Sequence, residues 1–434
     1  MDTKKRFSSS LATVLTMVGV SVGLGNVWRF PYMMGKFGGS AFLLLYMVFT
    51  LLFAIPSLMS ELALGREKRS GPLDTFIALF GNNLGVAVGF LLLITVLVAD
   101  SYYLVVIGNV AYTSYFSVWH GFNDSNQALF QSGLDNGALQ FSITFVILLV
   151  SLYIIWLGLN KGIEKISKVF VPFFLATILY LIGNALMLDG AVEKLLIFIK
   201  PDIDAITIDV TFAALGQAFF SLGLGGTFLL LYGSYMKNDQ SIVKTAVLTG
   251  FGDIGAALLA SLFIIPTLLV FNMDMTSGPR LIFSTLPTLF SQLPGGRILG
   301  SLFLISLTMM AFLSNVAALE VFANALTTSK KVNWSKQKVI LILGIIEAIL
   351  ILPSALYPDL IGYLDLIFGS GMQTLGSALC VIGLAWFVGK SKASQQIFGN
   401  HNSSFSTIYY SWIKWVIPVV LLLILIVYIY ESIS

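Results

Sequence analysis

Eleven long apolar stretches constrain this chain more than any other feature, because a membrane-spanning helix needs roughly 20 consecutive, mostly apolar residues. The approximate stretches are residues 11–31, 39–64, 85–116, 139–158, 168–188, 208–235, 243–272, 297–326, 337–353, 359–388 and 409–431. Only 10% of all residues are charged and 57% are hydrophobic, whereas soluble domains carry about 25% charged residues. A soluble fold is therefore excluded. We expect an all-α polytopic membrane protein of about 11 transmembrane helices that forms a single domain over residues 1–434.

The basic residues predict how these helices are oriented. With the N-terminus in the cytoplasm, 18 of the 24 Lys and Arg residues lie on the cytoplasmic side, as the positive-inside rule requires. An odd number of spans then places the C-terminus outside. Short tails and the lack of a targeting segment favour a multi-pass protein of the inner (plasma) membrane of a bacterium. Because the basic residues lie beside apolar segments and not in one patch, no nucleic-acid partner is expected.

Cysteine and histidine are too few for redox or metal chemistry. The single cysteine, Cys380, cannot form an internal disulfide, and the two histidines, His120 and His401, lie far apart in polar sequence. A membrane-embedded enzyme would need a nucleophile and a base, or a metal cluster, and these residues lie outside any such arrangement. We therefore expect no enzyme. A sensor or structural subunit is a further alternative, against which the lack of a soluble signalling domain argues.

Clusters of glycine interrupt the first and the sixth apolar stretch. The glycines are Gly19, Gly23 and Gly25 in the first stretch and Gly223, Gly225 and Gly226 in the sixth. Each glycine inside a helix costs about 1 kcal/mol relative to alanine, and interrupted helices at corresponding positions of two halves indicate the midplane binding site of an inverted-repeat transporter. The halves would be about residues 11–188 and 208–388, with an additional helix at about 409–431. Close helix packing is the alternative use of these glycines.

Polar residues near the interruptions could bind sodium, a hard cation that prefers oxygen ligands. The candidates are Ser21 and Asn26 in the first stretch, Ser221 in the sixth, Asp253 in the seventh, and Ser314 with Asn315 in the eighth. Backbone carbonyls freed by the interruptions could join them. Carboxylates within a membrane are costly and rare, which makes Asp253 the strongest candidate. Its alternative role is to cap a helix near the cytoplasmic end of the seventh stretch.

Other polar residues lie towards the outer half of the predicted bundle. Arg29 and Asp365 could form a charge pair that opens and closes as an outer gate, or each could be an interfacial charge that reaches the water on its own. One of Tyr102 and Tyr103 could present its phenol to a substrate carboxylate. Asp100 beside them could face the cavity and favour a polar or cationic group, or it could pair internally.

Two further acids and one connection are expected to be structural. Glu61 and Glu320 would form hydrogen bonds with backbone groups that the broken helices expose. The connection around residues 276–292 is only moderately apolar and contains Gly278, Pro279 and Pro287. We expect it to be a re-entrant or lid-like segment.

The first stretch contains a highly specific motif, GLGNVWRFPY at residues 23–32. It closely resembles the helix 1 signature of the neurotransmitter:sodium symporters, a family of bacterial amino-acid transporters and animal neurotransmitter transporters. Further similar segments are GGSAF at 38–42, ELALGR at 61–66, NKGIEK at 160–165, GQAFFSL at 216–222 and AALE at 317–320. The resemblance covers nearly the whole chain. It implies a LeuT-type 5+5 inverted repeat with helices 1 and 6 unwound at mid-membrane, and a substrate and two sodium ions at the midplane.

The resemblance also implies which residues bind the ions and the substrate. The first sodium ion would be held, together with the substrate carboxylate, by Ser21, Asn26, Ser221 and Asp253. The second would be held by the carbonyls of Gly19, Val22 and Ala311, the side chain of Ser314, and Asn315. The substrate would be surrounded by Ser21, Gly25, Ala99, Tyr103, Phe220, Ser221, Gly223, Gly226 and Leu319.

The same resemblance predicts the class of substrate and the ion requirement. Chloride-independent members place a carboxylate near the first sodium site, and Asp253 supplies one here, so no chloride requirement is expected. Amine transporters carry an aspartate at the position of Gly23, and its absence favours an ordinary α-amino acid. Members with small pockets often carry a bulky residue at the position of Gly226, so we expect a roomier pocket for a hydrophobic or aromatic amino acid. The cytoplasmic gate positions correspond to Lys4, Phe7 and a region around Thr328 that lacks an acid.

These observations predict sodium-coupled symport of an amino acid into the cytoplasm by alternating access. The expected partners are the amino-acid substrate, sodium ions and the lipid bilayer. A proton-coupled carrier, in which Asp253 and Asp100 titrate, is one alternative. A carrier of the same fold for a different class of substrate is another.

Overall fold

The structure is a computed structural model that describes residues 6–276, 278, 281–329, 334–399 and 404–433. Throughout these described ranges the regular secondary structure is helical. The main helices are α1 (Ser10–Ser21), α2 (Gly25–Lys36), α3 (Ser40–Lys68), α4 (Asn82–Trp119), α5 (Gly137–Leu157), α6 (Leu159–Leu186), α7 (Ile208–Ser221), α8 (Phe228–Tyr235), α9 (Ile242–Val270), α10 (Gly296–Thr328), α11 (Lys336–Leu356), α12 (Leu360–Val388) and α13 (Ser406–Tyr428). Shorter helices connect them at Pro72–Phe80, Gln127–Leu134, Ala191–Phe198, Leu286–Gln292 and Lys390–Phe398.

Each of the eleven predicted stretches coincides with a helical region. Among the described residues, nine helices are long and apolar enough to cross a membrane, and the bent pair of α1 and α2 makes a tenth. The sixth stretch is divided between α7 and α8. Fewer uninterrupted spans are present than the predicted number of about 11, because the first and sixth stretches are broken.

The break in the first stretch separates α1 from α2 at residues 22–24. The backbone of Val22 is extended, with φ −78° and ψ 112°, so the helix ends there. The axis of α2 continues at 57° to that of α1. Backbone groups at such helix ends lack partners within the helix and must find them elsewhere.

The break in the sixth stretch spans residues 222–227 between α7 and α8. Gly223 and Gly226 have φ values of 65° and 67°, in the left-handed region that favours glycine. A Cβ atom on Gly226 would lie 2.6 Å from the carbonyl oxygen of Gly376 in α12 and 2.9 Å from the thiol of Cys380. Glycine is therefore required at residue 226 both by the turn and by the close approach of α12.

Small residues also bring α3 and α8 into backbone contact. A Cβ atom on Gly65 would lie 1.8 Å from the carbonyl oxygen of Leu230, and one on Gly233 would lie 2.5 Å from that of Leu62. Glycine pairs of this kind allow membrane helices to pack closely where apolar surface alone gives little attraction between them. The second half of the broken sixth stretch is thus held firmly against α3.

The connection predicted as a lid forms, in part, the short helix Leu286–Gln292. Its buried residues Leu286, Leu289 and Phe290 face the bundle, and Phe290 meets Gly300 of α10. Pro279 lies outside the described residues. This helix covers one end of the bundle, the same end as Lys36 of α2. We call it the distal end, and we call the end that holds Phe7 the N-terminal end.

Candidate functional site

The two breaks lie against each other in the middle of the bundle. Ser21 is the last residue of α1 and Ser221 is the last residue of α7. The hydroxyl of Ser21 donates to the carbonyl of Leu222 at 3.3 Å, which joins one break to the other. Exposed backbone polar groups are thereby gathered in one buried region, where they can bind a ligand.

Asn26 forms the centre of this region. Its carboxamide oxygen accepts a hydrogen bond from the backbone N–H of Gly23 at 3.1 Å, which satisfies a donor freed by the break. Its Nδ2 atom donates to Ser221 Oγ at 3.0 Å and to Asp253 at both the carbonyl oxygen (3.2 Å) and Oδ1 (2.7 Å). Asn26 and Asp253 are fully buried. Three of the residues predicted for the first sodium site are therefore in direct contact.

Tyr46 of α3 completes this cluster from the other side. Its hydroxyl donates to Asp253 Oδ2 at 3.2 Å and lies 3.5 Å from Ser221 Oγ. The two carboxylate oxygens of Asp253 thus have different partners, Asn26 on one side and Tyr46 on the other. Tyr46 accompanies the GGSAF segment in the resemblance, but it was not among the predicted site residues.

The residues predicted for the second sodium site lie where α1 meets α10. Ser314 Oγ donates to the carbonyl oxygen of Val20 at 2.7 Å. Gly19 faces α10 so closely that a Cβ atom there would lie 2.7 Å from Leu313 Cδ1. Val22 and Ala311 belong to one buried apolar cluster around the same contact.

Asn315 is directed away from this group. Its Nδ2 atom donates to both oxygens of Asp100, at 3.0 and 2.8 Å, and its Oδ1 atom accepts a hydrogen bond from Ser151. The carboxamide therefore links α10 to α4 and α5. Asp100 pairs internally and also lines the central cavity, so both of the arrangements considered for it are present.

A cavity of about 120 Å³ lies between the two breaks, α4, α10 and α12. Seven of the predicted substrate-binding residues line it, namely Ser21, Gly25, Ala99, Tyr103, Phe220, Ser221 and Gly223. Asp100, Asp365 and Gln373 add polar groups to the lining, and Val96, Phe228 and Ala318 add apolar ones. A mostly apolar cavity with a few convergent polar groups is typical of a small-molecule site.

Two predicted substrate-binding residues lie outside this lining. Gly226 packs against Gly376 and Cys380, and its lack of a side chain admits α12 instead of enlarging the cavity. Leu319 is 1% exposed and faces the apolar core, while its neighbour Ala318 lines the cavity. The helical rotation between adjacent residues of α10 accounts for this difference.

The predicted gate residues, Arg29 and Asp365, each have another partner. The guanidinium carbon of Arg29 lies 4.2 Å from the centre of the Phe220 ring, a cation–π contact. Asp365 Oδ1 accepts a hydrogen bond from the Tyr102 hydroxyl at 2.9 Å. Gly369 makes room for this bond, because a Cβ atom there would lie 2.3 Å from Asp365 Oδ1 and 2.4 Å from Tyr102 Oη.

The two tyrosines of α4 have separate surroundings. Tyr102 bonds to Asp365, whereas the hydroxyl of Tyr103 lies at the first break, 3.0 Å from where a Cβ atom on Gly23 would stand. Of the two, Tyr103 is the one that reaches the backbone of the break.

The structural role expected for Glu61 is confirmed. Its Oε1 atom accepts a hydrogen bond from the backbone N–H of Gly225 at 3.1 Å, in the middle of the second break. Glu320 instead accepts a hydrogen bond from the side chain of Tyr235 at 2.8 Å. Each acid therefore holds one part of the broken sixth stretch.

The N-terminal end of the bundle is held by Glu164, which sequence reasoning did not select. Its carboxylate accepts hydrogen bonds from the backbone N–H of Ser8 at 2.8 Å and from Asn160 Nδ2 at 2.7 Å. Phe7 is fully buried with its ring against Tyr232 and Tyr235. Glu164 lies within the NKGIEK segment, which was the available signal. Lys4 lies outside the described residues.

Helices broken at corresponding positions around a central, partly polar cavity define a class of protein, the polytopic secondary transporters. Comparison with known proteins identifies the family. The sequence model of the sodium:neurotransmitter symporter family matches residues 4–125 and 122–433. The chain belongs to that family. It is a multi-pass, sodium-dependent membrane transporter and not an enzyme.

Individual relatives agree with this assignment. An uncharacterized sodium-dependent transporter of Haemophilus influenzae is 29% identical over 98% of both chains. The uncharacterized sodium-dependent transporter YhdH of Bacillus subtilis is 30% identical over 78% of this chain and 77% of its own. The crystal structure of MhsT in complex with L-phenylalanine is 28% identical and superimposes with a TM-score of 0.86 over 99% of this chain and 100% of that one. The predicted LeuT-type fold is confirmed.

Proposed function

We propose that this chain is a symporter that couples the inward movement of sodium to the uptake of an α-amino acid by alternating access. The observation that carries the proposal is the position of the Asn26 amide, which faces Ser221 Oγ and two oxygens of Asp253. Ser221 Oγ and the two Asp253 oxygens converge on one buried point, and oxygen is the type of ligand a hard cation needs.

We assign the first sodium site to Ser21, Asn26, Ser221 and Asp253, with the carboxylate of the substrate. The second site consists of Ser314 Oγ and the carbonyls of Gly19, Val22 and Ala311. We leave Asn315 out of it, because both ends of that carboxamide are engaged by Asp100 and Ser151. The ligands of the second site are then all uncharged.

The proposed substrate is a hydrophobic or aromatic amino acid held in the central cavity. Tyr103 would bind its carboxylate at the first break, and the apolar side chains of Val96, Ala99 and Ala318 would surround its side chain. The neighbouring structure of MhsT contains L-phenylalanine, which supports an aromatic substrate. The hydrogen-bonding groups of Asp100 and Gln373 also face the cavity, and a polar atom on the substrate ring would find partners there.

Transport is proposed to be independent of chloride. The carboxylate of Asp253 already supplies a negative charge beside the first sodium site, and Tyr46 fixes its second oxygen at 3.2 Å. An added anion beside this carboxylate would be repelled. Replacing chloride with gluconate at constant sodium is therefore expected to leave uptake unchanged.

We place the N-terminal end of the bundle in the cytoplasm of the cell, with the C-terminus outside and the chain in the inner (plasma) membrane. The distribution of basic residues supports this orientation. Arg29 and Asp365 would then form the outer gate, and the segment held by Glu164 would close the inner side. The chain would act as one domain whose halves, about residues 11–188 and 208–388, move relative to each other.

The proposal is tested by thermal unfolding of the purified protein with each of the twenty amino acids, in sodium or in potassium. A ligand at 100 times its dissociation constant stabilises the folded state by about 2.7 kcal/mol. We expect stabilisation by hydrophobic or aromatic amino acids in sodium alone. The Asn26→Ala variant should lose the sodium effect, and Asn184→Ala, whose amide bonds to Tyr180 of its own helix, should keep it.

Other outcomes would identify the alternatives. Stabilisation by an amino acid that depends on pH and not on sodium would indicate a proton-coupled carrier. If sodium alone raises the thermal stability but none of the twenty amino acids changes it further, the protein is a carrier for another class of substrate.

A further inference from the structure

Asp100 and Glu347 form a pair of buried carboxyl groups outside the two proposed sodium sites. Asp100 lies in α4 and is 3% exposed, and Glu347 lies in α11 and is 0% exposed. Helices α4 and α11 pack against each other, with the two carboxyl groups near one another. Carboxyl groups inside membrane-spanning helices are costly and persist where a partner or a function compensates them.

The surroundings of this pair contain no basic side chain among the described residues of α4 and α5. The basic residues of α10 and α11 are Arg297, Lys336 and Lys338, which lie near the ends of those helices. Lys338 precedes Glu347 by nine residues, or about 13 Å along a helix. The ionisable groups that interact with Asp100 are Glu347 and Tyr103 of α4. The protein therefore supplies no cation of its own at this place.

Asp100 has the hydrogen bonds of an ionised carboxylate. Both of its oxygens accept from Asn315 Nδ2, at 3.0 and 2.8 Å, and Asn315 is held in turn by Ser151. A chain of uncharged groups thus fixes the carboxylate in position without neutralising it. Each of its oxygens keeps a further lone pair for another ligand.

Glu347 differs because neither of its oxygens has a hydrogen-bond partner among the described residues. Buried polar side chains nearly always have at least one partner, so these two oxygens need one that the described residues do not supply. Two acceptor oxygens beside a second carboxylate are ligands that suit a hard cation.

The charges of the proposed sodium sites lead to the same conclusion. The second sodium site has only uncharged ligands, and its Ser314 is adjacent to Asn315, which contacts Asp100. The charge of Asp100 can compensate the sodium ion at Ser314, in which case the charge of Glu347 still requires a cation.

We propose that Asp100 and Glu347 bind one further sodium ion between α4 and α11, with the Ser151 hydroxyl as an additional oxygen ligand. This inference rests on the proposed function, since it assumes a sodium ion at Ser314.

The test is equilibrium binding of ²²Na⁺ alone to the purified full-length protein in detergent, in a potassium background, expressed as sodium bound per protein molecule. Glu347→Gln keeps the shape of the side chain and removes its charge, and we expect it to bind one sodium ion fewer than the wild type. Asp100→Asn should lose at least this ion, because Asp100 also faces the site at Ser314, and Glu347→Ala decides the question if Glu347→Gln does not fold. Ser354→Ala is the matched control, because Ser354 is also fully buried in α11 with an unpaired hydroxyl among the described residues. That variant should bind as much sodium as the wild type.

A sodium count that stays at the wild-type value in a folded Glu347→Gln protein would overturn the inference. Loss of proton release on sodium binding in that variant, together with an unchanged sodium count, would show that the pair holds a proton and not a sodium ion. Failure of the proposed function looks different, since the wild type would bind no sodium or Asn26→Ala would leave the sodium count unchanged.

Discussion

Replacing Gly369 by alanine should open the proposed outer gate at Asp365 by breaking one hydrogen bond, that between Tyr102 and Asp365. The added Cβ atom would lie 2.3 Å from Asp365 Oδ1 and 2.4 Å from Tyr102 Oη, the two atoms that are hydrogen-bonded at 2.9 Å. Ordinary carbon contacts begin about 1 Å farther out, so the two groups must separate. A hydrogen bond to a charged acceptor contributes about 1.5–3 kcal/mol, which corresponds to about 10- to 150-fold in a rate or population. We expect the lower part of this range, because the exposed side of Asp365 can bond to water instead.

The assay is the rate at which purified protein in sodium releases a radiolabelled amino acid chosen from the thermal screen. Gly369→Ala should accelerate release about tenfold. Gly371→Ala, two residues farther along the same helix, meets only the Leu366 carbonyl at 3.4 Å and should release at the wild-type rate. Tyr102→Phe should match Gly369→Ala, and the double variant should be no faster than either, because all remove the same bond. Equal rates for the two glycine variants, or additive effects in the double variant, would refute this reasoning.

Three further variants test the other contacts. Glu61→Ala leaves the buried N–H of Gly225 without its acceptor, so the free energy of unfolding should fall by about 1–3 kcal/mol in thermal or chemical denaturation. Gly226→Ala combines a left-handed backbone with a clash against the Gly376 carbonyl and should abolish folded protein in size-exclusion chromatography; recovery of a well-folded variant would contradict the packing described. Glu164→Gln should weaken the contact with the segment before α1, so amide exchange there should rise about tenfold, and unchanged exchange would show that the segment is held by other contacts.

Much of the fold could be predicted because its signals are local. The length of each apolar stretch is dictated by the membrane, and Gly223 and Gly226 of the sixth stretch mark residues whose backbone is left-handed. The number of intact spans was less predictable. Whether a glycine cluster bends a helix by 57° or merely lets it pack closely depends on the neighbouring helices.

The site was predictable where a motif encodes it and much less so elsewhere. Asn26, Ser221 and Asp253 were selected and are in contact. The role of Gly226 was harder to predict, because the absence of a side chain can either enlarge a cavity or allow another helix to approach. The position of α12 shows that the second applies here.

Contacts between distant residues could not be predicted either. Asp100 and Asn315 are 215 residues apart, and neither lies in a motif that requires the other. Their hydrogen bonds depend on how α4 and α10 face each other, which periodicity does not determine in helices that are buried on nearly every side.

The thiol of Cys380 gives this protein a built-in reporter. It is the single cysteine of the sequence, it is buried, and it lies beside the second break next to Gly226. An alkylating reagent should therefore not modify Cys380 while the break stays packed against α12. A cysteine introduced at the surface could then carry a fluorophore or a spin label without prior replacement of Cys380. If the break separates from α12 during the transport cycle, Cys380 itself would become reactive, and its rate of modification would time that movement in the wild-type protein.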